Sequence, residues 1–333
     1  MSTAPPFVSA ILLSYNCADQ IKDALQSVLD QQCEPMEVIV SDDASQDATF
    51  TVLQREVAAY EGPHLVRLRR RETNSGSKSA HLNDVFPLVT GQILVSFDGD
   101  DVAERDRVCR ILDVFRESPR VSAVYSDYSY LDGLGRAGRR RGVGKPPSGA
   151  DARHWFAKVD AYAPGATLAV RRDVVETFGP LDPSINEDVV LPFRASLIGD
   201  VHYIDEALVR VRRWDGSLTS HPERLRSVEN LRSWLLRGVA QARRQMESRL
   251  EDLGQAEKLG LVQALDLDAL RATVAASMAD AEASACLTSP SLLARLRCLA
   301  KLTRPDDRWR HFPQNAFLTL APSLYLKYKQ RRR

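Results

Sequence analysis

Residues 94–101 read LVSFDGDD, an apolar run that opens directly into three carboxylates within four positions. A short run of this kind, bounded by a glycine-containing turn, reads as a buried strand over Ile93 to Phe97. Asp98, Asp100 and Asp101, crowded at its end, repel one another unless a counter-charge is present. A hard divalent cation supplies such a charge and prefers oxygen ligands. When few protein carboxylates hold it, a diphosphate commonly completes its shell. Gly99 allows the tight bend. The alternative is a solvated turn in which Asp100 or Asp101 caps the next helix, and the spacing leaves both readings open.

Outward from that strand, the pattern alternates. FVSAILLS (7–14) reads as a first buried strand. Ile21, Ala24, Leu25, Val28 and Leu29 then recur at helical spacing within 19–32. Val38 to Val40 is a second strand, Ala44 to Ala59 a helix, and Leu65 to Leu68 a third strand. A polar loop at 72–79 leads into a helix through Leu88 and so to the strand at 93–97. The order βαβαβαβ predicts an α/β fold, a mostly parallel sheet flanked by helices on both faces. A helix over 106–117 and strands near 121–125, 166–171 and 202–211 follow, with short helices at 173–178 and 188–196; Gly133 to Ala150 reads as a loop. Beyond Pro222, stretches rich in Arg, Glu, Ala and Leu at 223–253, 255–283 and 290–303 predict a mainly helical C-terminal region. The domain organisation is therefore 1–220 and 221–333.

Composition bounds the function. The chain has 333 residues, 44% hydrophobic and 27% charged, which is an ordinary globular balance. Its formal charge of +1 gives no bulk electrostatic reason to expect a nucleic-acid partner. Cys17, Cys33, Cys109, Cys286 and Cys298 lie far apart with no CxxC, against a disulfide scaffold or a structural zinc site. A reducing, cytoplasmic compartment fits best. Met1 to Pro6 does not read as a signal peptide, and there is no apolar run long enough to span a bilayer. A GxGxxG after the first strand, a P-loop, an HExxH and a GxSxG are all missing, so classical dinucleotide, P-loop, histidine-zinc and α/β-hydrolase chemistries lose their support.

In an open α/β sheet, ligands gather beyond the carboxyl ends of the strands. Three polar clusters fall there: Ser14-Tyr15-Asn16, Asp42-Asp43 and the turn at 98–101. Asp42 and Asp43 either accept hydrogen bonds from a base or ribose, or cap the helix that follows. Asn74-Ser75-Gly76-Ser77-Lys78 is a polar turn whose Lys78 either touches a phosphate or is a surface lysine. Asn186-Glu187-Asp188 opens a helical stretch, where a carboxylate is either a cap or a general base facing an acceptor hydroxyl.

Taken in order, these pieces resemble the family-2 glycosyltransferases, which have the GT-A fold. VSAILLSYNCADQIKDALQSVLDQQCEPMEVIVSDDASQDAT looks like that family's first strand, helix and nucleotide-recognition strand. NSGSKSAHLND (74–84) resembles its Asn-x-Gly segment with a following Asn, and LVSFDGDD its DxD strand. APGATLAVRRDVVETFGPLD (163–182) and NEDVVLPFRASLIGD (186–200) resemble the acceptor-side strand and the ED segment. The resemblance covers about 7–220. It implies an inverting enzyme that moves a sugar from a nucleotide-sugar, by family frequency UDP-linked, to a glycan or lipid-linked acceptor in surface polysaccharide synthesis. It implies donor contacts from Ser14, Tyr15, Asn16, Asp42, Asp43, Asn74, Gly76, Lys78, Asn83, Asp98, Gly99 and Arg212. It further implies Mn²⁺ or Mg²⁺ on Asp98 and Asp100, with Asp188 as catalytic base. Rival readings are a related nucleotidyltransferase and a non-catalytic nucleotide-sugar-binding scaffold.

VRRWDGSLTS (211–220) departs from the pattern, because many relatives carry His where this chain has Trp214. Trp214 either stacks on a sugar or simply packs. Arg136, Arg139, Arg140 and Arg141 lie in the glycine-rich loop and read either as a flap over a phosphorylated ligand or as a solvated loop. The tail AFLTLAPSLYLKYKQRRR pairs apolar residues with terminal charge, fitting either peripheral membrane contact or docking on the helical region. That region offers a surface for homo-oligomer formation or for packing on the catalytic domain.

Overall fold

The computed structural model describes residues 8–131, 137–144, 153, 156–158, 161–212, 228–286, 291 and 293. Arg213, Trp214, Arg136, the tail, the helical stretch at 294–303 and the expected boundary near 220 lie outside the described residues.

The chain begins with β1 (Val8–Ser14), whose seven residues are all buried, as a strand covered on both faces must be. Then come α1 (Ile21–Leu29), β2 (Glu37–Asp42), α2 (Thr49–Ala58), β3 (Leu65–Arg70), α3 (Lys78–Val85) and β4 (Ile93–Asp98). Next are β5 (Val102–Ala103), α4 (Arg107–Glu117), β6 (Val121–Leu131) and β7 (Ala137–Arg141). After a 3-10 turn at Gly165–Thr167 follow β8 (Ala169–Arg171), α5 (Arg172–Phe178), α6 (Glu187–Ile198) and β9 (Asp200–Arg212). Two long helices, α7 (Val228–Lys258) and α8 (Ala264–Cys286), complete the described chain.

The sheet runs β3-β2-β1-β4-β8-β6-β9-β5, with β7 paired to β6. Strands β3, β2, β1 and β4 are parallel neighbours, as the βαβ alternation predicts. The expectation of a mostly parallel sheet needs correction beyond that half. β8 pairs antiparallel with both β4 and β6, and β7 and β5 pair antiparallel with β6 and β9. The sheet is mixed because β8 enters from the carboxyl edge of β4, where Ser96 N donates to Leu168 O at 3.1 Å, and runs back down. β6 and β9 are parallel. The carboxyl ends of β1, β2, β4 and β6 therefore share one edge.

One apolar cluster packs α1 and α4 on one face of the sheet through Ile21, Leu25, Val28, Val108, Ile111 and Phe115. The other face carries α3, α5 and α6, and the same core continues into Met246, Leu253 and Ala256 of α7 and Leu270 and Val274 of α8. Two further expectations change. The 133–150 loop contains β7, held because Asp127 takes Arg140 Nε at 2.8 Å and Val143 N at 2.7 Å. Arg140 thus belongs to a strand tied to β6. The single helical stretch at 255–283 is broken at Gly260, whose φ of 65° suits only glycine well.

Arg194 of α6 meets Asp252 of α7 at 3.0 Å, both side chains buried, and also donates to Gly179 O at 2.8 Å. Removing one partner of a buried pair leaves the other charge uncompensated. Asp252→Ala is therefore expected to lower stability by about 3–5 kcal/mol in urea unfolding, against a much smaller loss for the exposed pair partner Glu247→Ala.

Candidate functional site

The shared edge gathers the carboxylates. β4 ends at Asp98, and Gly99 N donates back to Leu13 O at 2.8 Å. A Cβ on Gly99 would lie 2.9 Å from that same carbonyl oxygen and 3.0 Å from Ser14 Cβ. Glycine is needed here for close approach to β1, more than for a bend.

The turn carries its own cations, which corrects the premise that only an added ion relieves it. Lys78 Nζ, at the start of α3, lies 2.6 Å from Asp98 Oδ1 and 2.8 Å from Glu187 Oε1. Arg212 N donates to Asp101 Oδ1 at 2.9 Å and its Nε to the Asp100 carbonyl at 3.2 Å. Arg107 is fully buried below, its NH2 on Ser96 O at 2.9 Å and its guanidinium over the Phe97 ring. Burial lowers Arg107, while Asp98 and Asp101 hold it up. Burial would likewise lower Lys78, but Asp98 and Glu187 outweigh it and raise the ammonium. Burial, then Asp100 and Asp98, push Asp101 well above the usual carboxylate range.

α6 supplies the base candidate. Asp188 sits in its first turn, with Oδ1 buried and lacking a hydrogen-bond partner among the described residues. Burial pushes its carboxyl up to about 7; Glu187 adds to this, Lys78 opposes it and Asp98 adds again. Pro192 lies inside the same helix. It has no N–H to give the carbonyl four residues earlier, which is that of Asp188. That oxygen instead accepts Ala163 N at 2.9 Å. The proline thus lets the 161–165 segment lie across the helix start, where a Cβ on Gly165 would come within 3.2 Å of Lys78 Nζ. Glu187, Gly165, Pro192 and Arg107 carry no strong sequence signal of their own. The proline inside a predicted helix was the one cue to an unusual carbonyl.

The loops after β1 and β2 are built on hydrogen bonds. Asp42 is buried and accepts Ser45 N at 2.9 Å and Ser45 Oγ at 2.5 Å. Ser14 Oγ lies 3.4 Å from it. Ala44 takes a φ of 59°, and α2 starts only at Thr49, so the expected helix from Ala44 is delayed. Neither aspartate caps α2. Asp43 is held by Ser75 N at 2.8 Å, Asn74 Nδ2 at 3.0 Å and Arg71 Nε at 3.2 Å. Asn74 Oδ1 in turn accepts Gly76 N at 2.8 Å, with Gly76 at φ 82°. Asn16 Oδ1 accepts Gln46 N at 2.7 Å, and Tyr15 stands exposed. Asn83 points elsewhere: its amide exchanges two 2.8 Å hydrogen bonds with the Leu181 backbone, so it clamps α3 to the segment before α6.

The donor set fits a hard cation within limits. Among the described residues there is no group of three or more His, Cys, Asp or Glu arranged to hold a metal. Two oxygen donors, Asp98 and Asp100, match Mg²⁺ or Mn²⁺ bound through one or two carboxylates, with phosphate and water completing the shell.

A mixed sheet of this order, with an acidic turn and the carboxylates of a helix start on one edge, is GT-A-like. The sequence matches Glycosyl transferase family 2 over residues 9–179, just over half the chain, and the protein belongs to that family. A Bacillus subtilis (strain 168) protein named as a teichuronic acid biosynthesis glycosyltransferase is 36% identical over 117 residues, 35% of this chain and 45% of that one. The chain thus spans under half the length of that relative. Two solved structures share the fold. One is a Pyrobaculum calidifontis mannosyltransferase in complex with GDP-Man and Mn²⁺ (19% identity, 98% of this chain, 87% of that one, TM-score 0.53). The other is S. aureus TarS 1-349 in complex with UDP-GlcNAc (16% identity, 97% and 92%, TM-score 0.53).

Because Lys78 lowers Asp188, Lys78→Met is expected to move the Asp188 midpoint above about 7. Carbon-13 NMR titration of labelled aspartate carboxyls reads this; an unmoved midpoint would disconnect the two groups.

Proposed function

We propose that this protein transfers a sugar from a nucleotide-sugar to an acceptor hydroxyl, with inversion at the anomeric carbon, in the building of a polysaccharide or lipid-linked glycan. The observation that carries the reading is Asp188: a carboxylate raised to about 7, with a buried, unpartnered oxygen, on the edge that also holds the acidic turn. A general base works best when its pKa lies near the working pH. The nucleoside would lie over Tyr15, Asn16 and the Asp43–Asn74 loop, and a uridine-linked donor is the first to test. The diphosphate would lie at the 98–101 turn beside Lys78 and Arg212.

In the reaction, the acceptor O–H gives its proton to the Asp188 carboxylate while the oxygen attacks the anomeric carbon. The bond from that carbon to the diphosphate breaks with its electrons, and the nucleoside diphosphate leaves. Lys78 and Arg212 are placed to face the departing negative charge. Asp98 and Asp100 would hold Mn²⁺ or Mg²⁺, which supplies further neutralisation when bound. We place the enzyme in the cytoplasm, a reading in keeping with free Cys17, Cys33 and Cys109. Among the described residues, no helix is long and apolar enough to cross a membrane. The 1–220 catalytic unit and the 221–333 helical region are proposed as parts of one working body, since α6 and α7 share the Arg194–Asp252 pair.

Asp188→Asn is expected to cut transfer by ~10²–10⁴-fold while the donor still raises the melting temperature in a sugar-nucleotide screen with Mn²⁺ or Mg²⁺. In the wild type, kcat/KM should rise with pH up to about 7 and then level, because the base must be unprotonated. Stability runs the other way. The folded state holds the Asp188 proton more tightly, so wild-type stability falls between the ordinary 3.8 and about 7. The asparagine variant escapes that fall and should melt no lower than wild type at pH 8. Full transfer by the variant would remove Asp188 from the mechanism, and full transfer under a chelator would remove the metal.

A further inference from the structure

Beyond Asp188, on the side away from the nucleoside loops, the same edge carries a group of tyrosines. Tyr162 is 39% exposed, a high value for so large a ring in this protein. It directly precedes Ala163, whose amide is bonded to the Asp188 carbonyl at 2.9 Å. Tyr128 and Tyr130 are half-buried on β6, edge to face with ring centroids 5.4 Å apart and hydroxyls 3.4 Å apart. Tyr130 is in register with Val211, next to the Arg212 whose amide holds Asp101. Tyr128 is in register with Arg141 of β7. Burial raises the Tyr128 phenol, its bond with Tyr130 and then Tyr162 raise it further, and Arg141 lowers it. Thr167 Oγ1, five residues beyond Tyr162, accepts Ser126 N of β6 at 3.3 Å, which sets the 161–167 segment beside that strand.

We propose that Tyr162, Tyr128 and Tyr130 form the acceptor subsite, and that its occupant is a pyranose ring of the acceptor glycan. The inference rests on the glycosyl-transfer reading and deepens it. Three features select this occupant. A pyranose has an apolar C–H face and a rim of hydroxyls, and a tyrosine has an aromatic face and a hydroxyl. The strand order places the loops of β1 and β2 first, the acidic turn of β4 next, and β6 and β9 beyond it. A sugar on these rings would therefore lie across Asp188 from the donor nucleoside, where an attacking hydroxyl must come from. Finally, Asp188 as a whole is only half-buried on this edge, and a hydroxyl of a ring stacked on Tyr162 would reach its carboxylate. Pro192 acts through the backbone as a positioning residue, because it leaves the Asp188 carbonyl to Ala163 and so holds the backbone next to Tyr162 against the start of α6.

The probes are methyl glycosides of glucose, galactose, N-acetylglucosamine and glucuronate, used on the full chain. Saturation-transfer difference NMR is expected to show contact through one face of the ring for at least one probe. Tyr162→Ala should abolish that signal, and Tyr162→Phe should retain it. With the donor turned over fastest by wild type, Tyr162→Ala should raise the acceptor KM about tenfold and leave the donor KM where it was. Tyr130→Ala should act in the same direction. Unchanged circular dichroism would separate these effects from misfolding, and Tyr162, being exposed, can be removed without opening the core. No saturation transfer to any probe in wild type, or transfer that survives Tyr162→Ala, overturns the subsite. Failure of the parent reading looks different: saturation transfer persists and depends on Tyr162, yet no sugar nucleotide releases its nucleotide in the presence of any probe.

Discussion

Five carboxylates on one edge of the sheet set the terms for everything around them. Asp98, Asp100 and Asp101 end β4, and Glu187 and Asp188 begin α6. Like charges this close cannot all be ionised in a partly buried setting unless positive groups lie among them. Among the described residues the fold provides three. Lys78 arrives from α3 and bridges Asp98 to Glu187. Arg212 arrives from the far end of β9. Arg107 lies beneath, shielded from water and over Phe97. Elements far apart in sequence therefore meet at one electrostatic junction, and the mixed sheet is what brings β9 to β4's turn.

The division of labour among those carboxylates follows from how each is partnered. Asp42 and Asp43 spend their oxygens on Ser45, Ser75, Asn74 and Arg71 and thereby shape two loops. Glu187 shares Lys78 with Asp98. Asp188 is left with a buried oxygen and a raised affinity for a proton. Asn186, which precedes α6, makes no side-chain cap bond, while the Asp188 carboxylate takes a bond from its own amide.

Much of this was legible from residue pattern. The parallel half of the sheet follows from apolar runs spaced by amphipathic helices, and the acidic turn stands out because three carboxylates end an apolar strand. What escaped has a physical reason in each case. β8 was legible as a strand near 166–171, but its antiparallel direction was not, since three residues carry no mark of which way they run. β7 is rich in Gly and Arg and exists as a strand because Asp127, on a separate strand, collects Arg140 and Val143. The pattern left Lys78 open between a phosphate contact and a surface lysine, and it hid the ion pairs because their partners lie 20 and 109 positions further along the chain. The resemblance implies a donor contact at Asn83; its bonds to the Leu181 backbone were not legible, since local pattern does not reveal where a side chain points.

The junction also links donor arrival to the base. Lys78 is the positive group that opposes the rise in Asp188, and it is shared with Asp98 at the turn where a diphosphate would lie. A diphosphate seated there adds negative charge near Asp188 and competes with Glu187 for the same ammonium. Both effects act in one direction, strengthening the hold of Asp188 on a proton. On the proposed reading the carboxylate would become a stronger base as the diphosphate arrives, and a cation held by Asp98 and Asp100 would act against that rise. Arg212 and Arg107 cannot substitute in this role, because Arg212 points its amide at Asp101 and Arg107 is locked under Phe97. Gly99, packed against the Leu13 carbonyl, and Ala163, bonded to the Asp188 carbonyl, hold those carboxylates in place.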